Sequence, residues 1–397
     1  MRIAIVTSQF PVAGDPTRGR PLLQTIEALA RLGQVQGDIQ IKVFVPNARY
    51  PQLLQPRSYN YLPVSEGAEF REGLQVEYLT YPTLPWVGRL TNGHAVARAL
   101  GQPLTEFAPD IVLTYWLYPD AFGAAQVAAR IGVPCISGAR GSDLRARDRV
   151  SLALARSALA KSAHVLTVSE DLKRIAVRSF GVSGDCATAI ANGCNVALFR
   201  RGDRLAARRA LGLPAADRLV LYVGRLVAAK GLRELLRAWA NIAQDDSRLR
   251  LAFVGDGVLH SELASAASAA GMANRVVLPG SASPEQVARW MQACDVFCLP
   301  SHSEGYPNVL VEALACGRPI VGTAVGGILE IVDDDNGLLT PVGDVARLSE
   351  ALRSALNKRW DEAALSRRFA RSWDDVAAET LEVCHAVIGR SLRRVAS

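Results

Sequence analysis

Residues 301–317 read SHSEGYPNVLVEALACG, a short polar loop holding Glu304 and Gly305 that passes through Tyr306 and Pro307 into an apolar run carrying Glu312. Proline suits a helix start because its missing N–H would find no partner there, and Gly317 followed by Pro319 supplies a stop. The spacing predicts a helix over 308–316, led into by the strand-like VFCL at 296–299. Such a helix turns its free amides and the positive end of its dipole toward the Glu304 loop, an arrangement suited to a phosphate. Glu312 falls about a turn deeper. Taken singly, Glu304 also reads as a solvated loop acid, and Glu312 as an exposed position on an amphipathic helix.

The same strand, loop and helix pattern recurs upstream. LVLYV at 219–223 leads into Gly224, Arg225 and Leu226, then Lys230 and Gly231, before a helix expected from about residue 232. Gly224 permits close approach of the backbone to a ligand. Arg225 and Lys230 give a guanidinium fork and a point charge suited to a diphosphate; as isolated residues both read as surface charges. A strand at 249–254 precedes Gly255-Asp256-Gly257, and further strands are expected at 275–279 and 319–323, the latter followed by Val325-Gly326-Gly327 and Glu330. Asp333, Asp334 and Asp335 run into Asn336-Gly337, which reads as a solvated turn rather than a metal cluster. Helices are expected over 345–357, 361–371 and 374–393.

The first half repeats the pattern. RIAIVT at 2–7 leads through a loop holding Gly14, Asp15, Arg18 and Gly19 to a helix over 21–32. Strands follow at 39–45, 76–79, 111–115, 135–138 and 164–168, separated by helical patterns such as 93–107 and 121–131. Alternation of this kind gives parallel sheets, and ligands bind beyond the carboxyl ends of their strands. Three loops qualify: the one before Arg20, the run Trp116-Leu117-Tyr118-Pro119-Asp120, and Arg140-Gly141-Ser142-Asp143. The last of these has a structural reading too, as a strand-end arginine paired with Asp143. ATAIANGCN at 187–195 reads as a strand and an Asn192-Gly193 turn.

Composition narrows the classes. A chain of 397 residues, 49% apolar and 21% charged, suits two globular domains. No run of eighteen uncharged apolar residues occurs, and the N-terminus enters a strand pattern without a signal peptide's features, so a cytoplasmic protein is expected. Seven cysteines show no CxxC, and Cys294 and Cys298 flank a strand start, so packing thiols are expected. The formal charge of +7 comes without an aromatic-interleaved basic motif, which argues against nucleic acid. Phosphate-bearing substrates, and a peripheral contact with an anionic membrane, account for it equally well. Arg390, Arg393 and Arg394 at the last helix read as a solvated end or as part of such a contact.

Ser303, Glu304, Gly305, Tyr306, Pro307, Asn308 and Glu312, with Gly224-Arg225-Leu226 and Lys230-Gly231, resemble the signature of retaining glycosyltransferases of sequence family 4. These have the GT-B fold: α/β, with two Rossmann-like domains whose parallel sheets face a central cleft. The resemblance implies an acceptor domain over 1–195, a nucleotide-sugar domain over 196–373, and a final helix over 374–397 crossing back to the first domain. It implies a donor that is a UDP- or GDP-sugar, no cofactor and no metal. Arg225 and Lys230 would clamp the diphosphate, Glu304 would hold hydroxyls of the transferred sugar, and Glu312 would take the ribose. Gly19, Gly224, Gly255, Gly305, Tyr306, Pro307, Asn308 and Val309 would line the donor.

Arg18, Tyr115, Tyr118, Asp120, Arg140 and Asp143 fall on the acceptor side. There the chain resembles polysaccharide-building and teichuronic-acid-type members, which implies a glycan or lipid-linked acceptor. Two departures stand out: Tyr115 lies where many members carry a histidine touching the transferred sugar, and Arg140 replaces the histidine of His-Gly-Ser-Asp. Glycosylation of a small metabolite, and a non-catalytic nucleotide- or carbohydrate-binding protein, are the alternatives. A nicotinamide-dependent oxidoreductase would need a GxGxxG after a strand, and neither half has one.

Overall fold

The computed structural model describes residues 1–12, 15, 18–54, 67–71, 73–85, 87–141, 143–145 and 148–396. The chain forms two compact units, Met1–Asn192 with Trp373–Ser397, and Gly193–Ser372.

The first unit is built on an eight-stranded sheet: β1 (Arg2–Val6), β2 (Gln40–Arg49), β3 (Gly67–Arg71), β4 (Leu74–Pro82), β5 (Ile111–Thr114), β6 (Cys135–Ala139), β7 (His164–Thr167) and β8 (Ala187–Ala189). Their order is β3-β4-β2-β1-β5-β6-β7-β8. All neighbours run parallel except β3 and β4, which form an antiparallel pair from Gly67↔Tyr78 to Arg71↔Leu74. The sequence reading missed β3, because GAEFR carries no apolar run to mark an edge strand.

Period-2 alternation decides which residues face which layer. Ile3 and Ile5 point to one buried face with Leu22, Ile26 and Leu29 of the helix Arg20–Gln36, while Ala4 and Val6 point to the other with Val96, Leu100 and Leu104 of the helix Gly88–Phe107. The helix Trp373–Ala396 adds Trp373, Val376, Leu381, Cys384 and Val387 to the first of these cores. Burial of each large apolar side chain contributes roughly 1.5–3 kcal/mol, so this last helix is integral to the unit.

The second unit holds β9 (Arg218–Val223), β10 (Leu249–Val254), β11 (Val276–Gly280), β12 (Val296–Leu299), β13 (Ile320–Thr323) and β14 (Gly337–Thr340) in a wholly parallel sheet ordered β11-β10-β9-β12-β13-β14. The helix Leu232–Ala243 buries Leu232, Leu235, Leu236, Trp239 and Ile242 at helical spacing against it. In each sheet the winding reverses at one place, between β1 and β5 and between β9 and β12. Crevices for ligands open at the carboxyl ends of strands at such switch points.

Candidate functional site

At the switch point of the second unit, glycines let four loops pack backbone to backbone. Gly224 and Gly255 have φ of 149° and 134°, and a Cβ on Gly255 would run into the Gly224 carbonyl. Gly231, at φ 67°, starts the helix Leu232–Ala243 so close to β12 that a Cβ would strike the Pro300 carbonyl. The His302 amide donates to the Ala229 carbonyl at 2.9 Å, pinning the turn Ala228–Lys230 to the loop after β12. A Cβ on Gly327 would likewise meet the Gly305 carbonyl, which brings in the loop after β13.

This packing joins residues 74 apart in sequence. Lys230 Nζ forms an ion pair with Glu304 Oε1, and Ser301 Oγ donates to the same oxygen at 2.6 Å. Thr323 Oγ1 donates to the Ser301 carbonyl and holds that residue in place. The two charged side chains are 21% and 11% exposed, so water screens them only in part. Arg225 is exposed beside them. Its carbonyl accepts from the Tyr222 hydroxyl at 2.9 Å, and its guanidinium has no ion-pair partner among the described residues. Burial pushes the Tyr222 hydroxyl well up, Glu304 adds to the shift and Arg225 opposes it, which places both charges around one ring.

The helix Asn308–Ala315 begins at Pro307 with no side-chain cap. Gly305, Tyr306, Asn308 and Val309 are half-buried around its start, and burial raises the Tyr306 hydroxyl to about 12. Glu312 is half-buried on the same helix, close enough to add to the burial that raises the Cys194 thiol to about 12. The structure thus gathers Arg225, Lys230 and Glu304 among Gly224, Gly255, Gly305 and the start of the helix bearing Glu312. Sequence reasoning named the Val325-Gly326-Gly327 loop but missed Ser301 and Thr323; of these two Ser301 had a signal, standing three residues before Glu304.

In the first unit the loops after β1 and β5 meet at Asp120, whose Oδ2 accepts from the Ser8 amide at 2.6 Å. Asp120 is fully buried, and burial raises its carboxyl to about 7, against the pull of the Ser8 hydrogen bonds and the Arg18 charge. The Tyr118 hydroxyl accepts from the Gly93 amide at 3.0 Å, and its ring packs edge-on against Phe122. Arg18 and Gly19 are half-buried. Gly19 opens the helix Arg20–Gln36 at φ 63°, and a Cβ there would strike the Gln9 carbonyl.

Arg140 Nη2 donates to Asn192 Oδ1 at 3.0 Å, and its guanidinium carbon lies 5.8 Å from the Tyr115 ring centroid. Asp143 accepts from the backbone amides of Arg140, Gly141 and Leu144, so the alternative reading of a pair between the two side chains gives way to a turn. Tyr115 is 5% exposed. It lines a small pocket of about 20 Å³ with Thr25, Arg140, Asn192 and Thr380, room for about one water molecule.

Tyr115 and Asp120 are thus both buried, whereas their loop positions place them on the acceptor side. Burial of this kind cannot be read from loop position alone. Gly14, Ser142 and the side chain of Arg394 lie outside the described residues. Among those described, no group of three or more metal-ligating side chains converges, and Asp333 pairs with Arg368 while accepting from the Asp335 amide at 3.1 Å. No described helix is long and apolar enough to cross a membrane.

Two family models account for most of the chain: "Glycosyl transferase 4-like domain" over residues 19–193 and "Glycosyl transferases group 1" over residues 203–372. The two together make the chain a glycosyltransferase, with the group 1 domain as its second half. Its fold is GT-B, with two Rossmann-like α/β domains. HepE of Anabaena, solved in complex with UDP, superposes with a TM-score of 0.68 at 19% identity and covers 100% of both chains.

Among relatives of this glycosyltransferase, TuaC of Bacillus subtilis strain 168, described as a teichuronic acid biosynthesis glycosyltransferase, is 28% identical over 364 residues, 89% of this chain and 88% of that protein. The D-inositol 3-phosphate glycosyltransferase of Segniliparus rotundus is 36% identical over 152 residues, 37% of this chain and 34% of that protein.

Proposed function

We propose that this glycosyltransferase is a retaining, family 4 enzyme that moves a hexosyl group from a UDP- or GDP-sugar to a glycan or lipid-linked acceptor in the assembly of a bacterial cell-surface polysaccharide. The observation that carries the reading is the convergence of Arg225, Lys230 and Glu304 beside the uncapped start of the helix Asn308–Ala315, at a sheet's switch point. Two cations and a helix N-terminus neutralise the charge that builds on a departing diphosphate. Protein cations then do the work of a divalent metal, so turnover is expected to continue in EDTA. Glu304 accepts from hydroxyls of the sugar and Glu312 from the ribose.

Retention by front-side displacement needs no protein nucleophile. The acceptor oxygen bonds to the anomeric carbon on the face from which the phosphate oxygen departs, and that phosphate oxygen takes the acceptor's proton. The likeness to TuaC over nearly the whole chain supports a polymer-building role, and the UDP complex of HepE supports a nucleotide-sugar donor. The shorter likeness to an inositol-phosphate glycosyltransferase favours a second reading, transfer to a small phosphorylated metabolite.

A lipid-linked acceptor calls for a membrane-facing surface on the cytoplasmic side. Arg89 pairs with Asp148 and bonds Ser151, which sets the start of the helix Gly88–Phe107 beside that of Arg149–Ala160. Leu84, Val87, Leu90 and Val150 are exposed around this junction. The double variant V87E/L90E is expected to lose most co-sedimentation with phosphatidylglycerol vesicles at unchanged thermal stability.

The direct test is thermal stabilisation by UDP, GDP, ADP and their sugar conjugates in EDTA, since a ligand of the folded state raises Tm. A shift with one base names the donor, and no shift with any overturns the donor site. Arg225→Ala and Glu304→Ala are each expected to lower turnover by about 100-fold or more with the fold intact; near-normal rates would remove those residues from the site.

A further inference from the structure

We infer that Glu304 is the group by which the donor site tells a nucleoside-diphosphate sugar from the nucleoside diphosphate left after transfer, and that it does so through the ion pair it shares with Lys230. The inference rests on the donor-site reading above and concerns what that pair must give up on binding.

The Lys230 charge is already neutralised within the protein, since its Nζ pairs with Glu304 Oε1, which also accepts from Ser301 Oγ. Both partners are held by packed backbone, Lys230 by the turn against Pro300 and His302, Glu304 by the Gly305 and Gly327 contact. Their backbones cannot move apart without breaking those contacts. The Glu304 side chain is only 11% exposed in the paired state, so when a diphosphate takes the Lys230 ammonium the carboxylate is short of its cation and near new negative charge. A largely desolvated carboxylate in that position is costly.

A nucleotide sugar brings hydroxyl donors to the same carboxylate and makes good the loss. A bare nucleoside diphosphate brings none. The pair therefore weakens binding of the product more than of the donor, and favours release of the diphosphate once the sugar has left.

The experiment is isothermal titration of UDP, UDP-glucose, GDP and GDP-mannose into wild type, Glu304→Gln and Glu304→Asp, in EDTA, with circular dichroism to confirm the fold. For whichever base binds, Glu304→Gln is expected to tighten the bare diphosphate by about tenfold, because Lys230 is no longer neutralised. It is expected to weaken the sugar conjugate, so that the preference for conjugate over diphosphate collapses. Glu304→Asp keeps the charge and should stay within a few-fold of wild type for the diphosphate. Glu304→Ala replaces the amide variant should that one not fold. A folded variant lacking the charge whose diphosphate affinity is unchanged or weaker overturns the inference while leaving the donor site standing. A wild type that binds none of the four ligands overturns the donor site itself.

Discussion

Asp120 and His164 carry opposite pH dependences across one window. Asp120 Oδ2 accepts from the Ser8 amide, Oδ1 has no hydrogen-bond partner among the described residues, and burial raises the carboxyl from near 4 to about 7. Between those values the unfolded chain has lost the proton that the folded chain keeps, so this residue's contribution to stability falls as pH rises from about 4 to 7. His164 is the reverse. Arg390 can only donate, so His164 Nδ1 accepts from it at 3.2 Å and the ring proton sits on Nε2, facing Thr188 Oγ1 at 2.9 Å. Burial, followed by the charges of Arg390 and Lys173, lowers the imidazole from about 6.5 to about 4. Its contribution is whole above pH 6.5 and is lost as pH falls toward 4, a change on the order of 2 kcal/mol. In wild type the two slopes offset each other. Asp120→Asn should leave a Tm that climbs with pH from 4 to 6.5, and His164→Gln one that declines from 4 to 7. Parallel profiles for the two variants and wild type would show that neither group titrates as described.

Among elements, the loops of the second unit depend on contacts that glycine alone permits. Gly231 is left-handed and its absent Cβ would overlap the Pro300 carbonyl, whereas Gly212 has the same φ of 67° with nothing within 4 Å of the site of a Cβ. Alanine at 212 should cost about 1 kcal/mol, the strain of the left-handed backbone alone. Alanine at 231 should cost about 2 kcal/mol more, because carbonyl and turn must separate. It should also weaken donor binding, since that turn carries Lys230. Equal losses of Tm at the two positions would rule out the close packing. Parallel strands and their helices were legible because apolar runs and glycine turns are local signals: 249–254 and 296–299 coincide with β10 and β12. The pairing of Lys230 with Glu304 was not, since it depends on how two loops meet across the edge of a sheet. Nor was the burial of Tyr115 and Asp120, whose loop positions look the same whether a side chain turns inward or outward.

At the scale of the whole molecule, chain order and folding unit part company at Trp373. The helix Trp373–Ala396 follows the second unit in sequence, yet its apolar stripe of Trp373, Val376, Ala377, Leu381, Cys384 and Val387 is core of the first, packed among Ile3, Ile5, Leu22 and Ile26. Arg31 adds an ion pair to Asp374 at 2.7 Å, but both side chains are more than half exposed and such pairs contribute little. Apolar burial outweighs it, and losing these six side chains from the core, four of them large and worth roughly 1.5–3 kcal/mol each, is comparable to the roughly 5–15 kcal/mol by which an ordinary domain is stable. Ending the chain at Ser372 should therefore unfold the first unit while sparing the second, whose core draws nothing from that helix. Calorimetry of the truncated chain should show one cooperative transition, with a nucleoside diphosphate still raising its Tm if the donor site lies wholly in Gly193–Ser372. Two transitions after truncation would mean that the first unit holds its fold without the returning helix. Loss of the diphosphate shift in a protein that still melts cooperatively would mean that the first unit supplies part of the donor site.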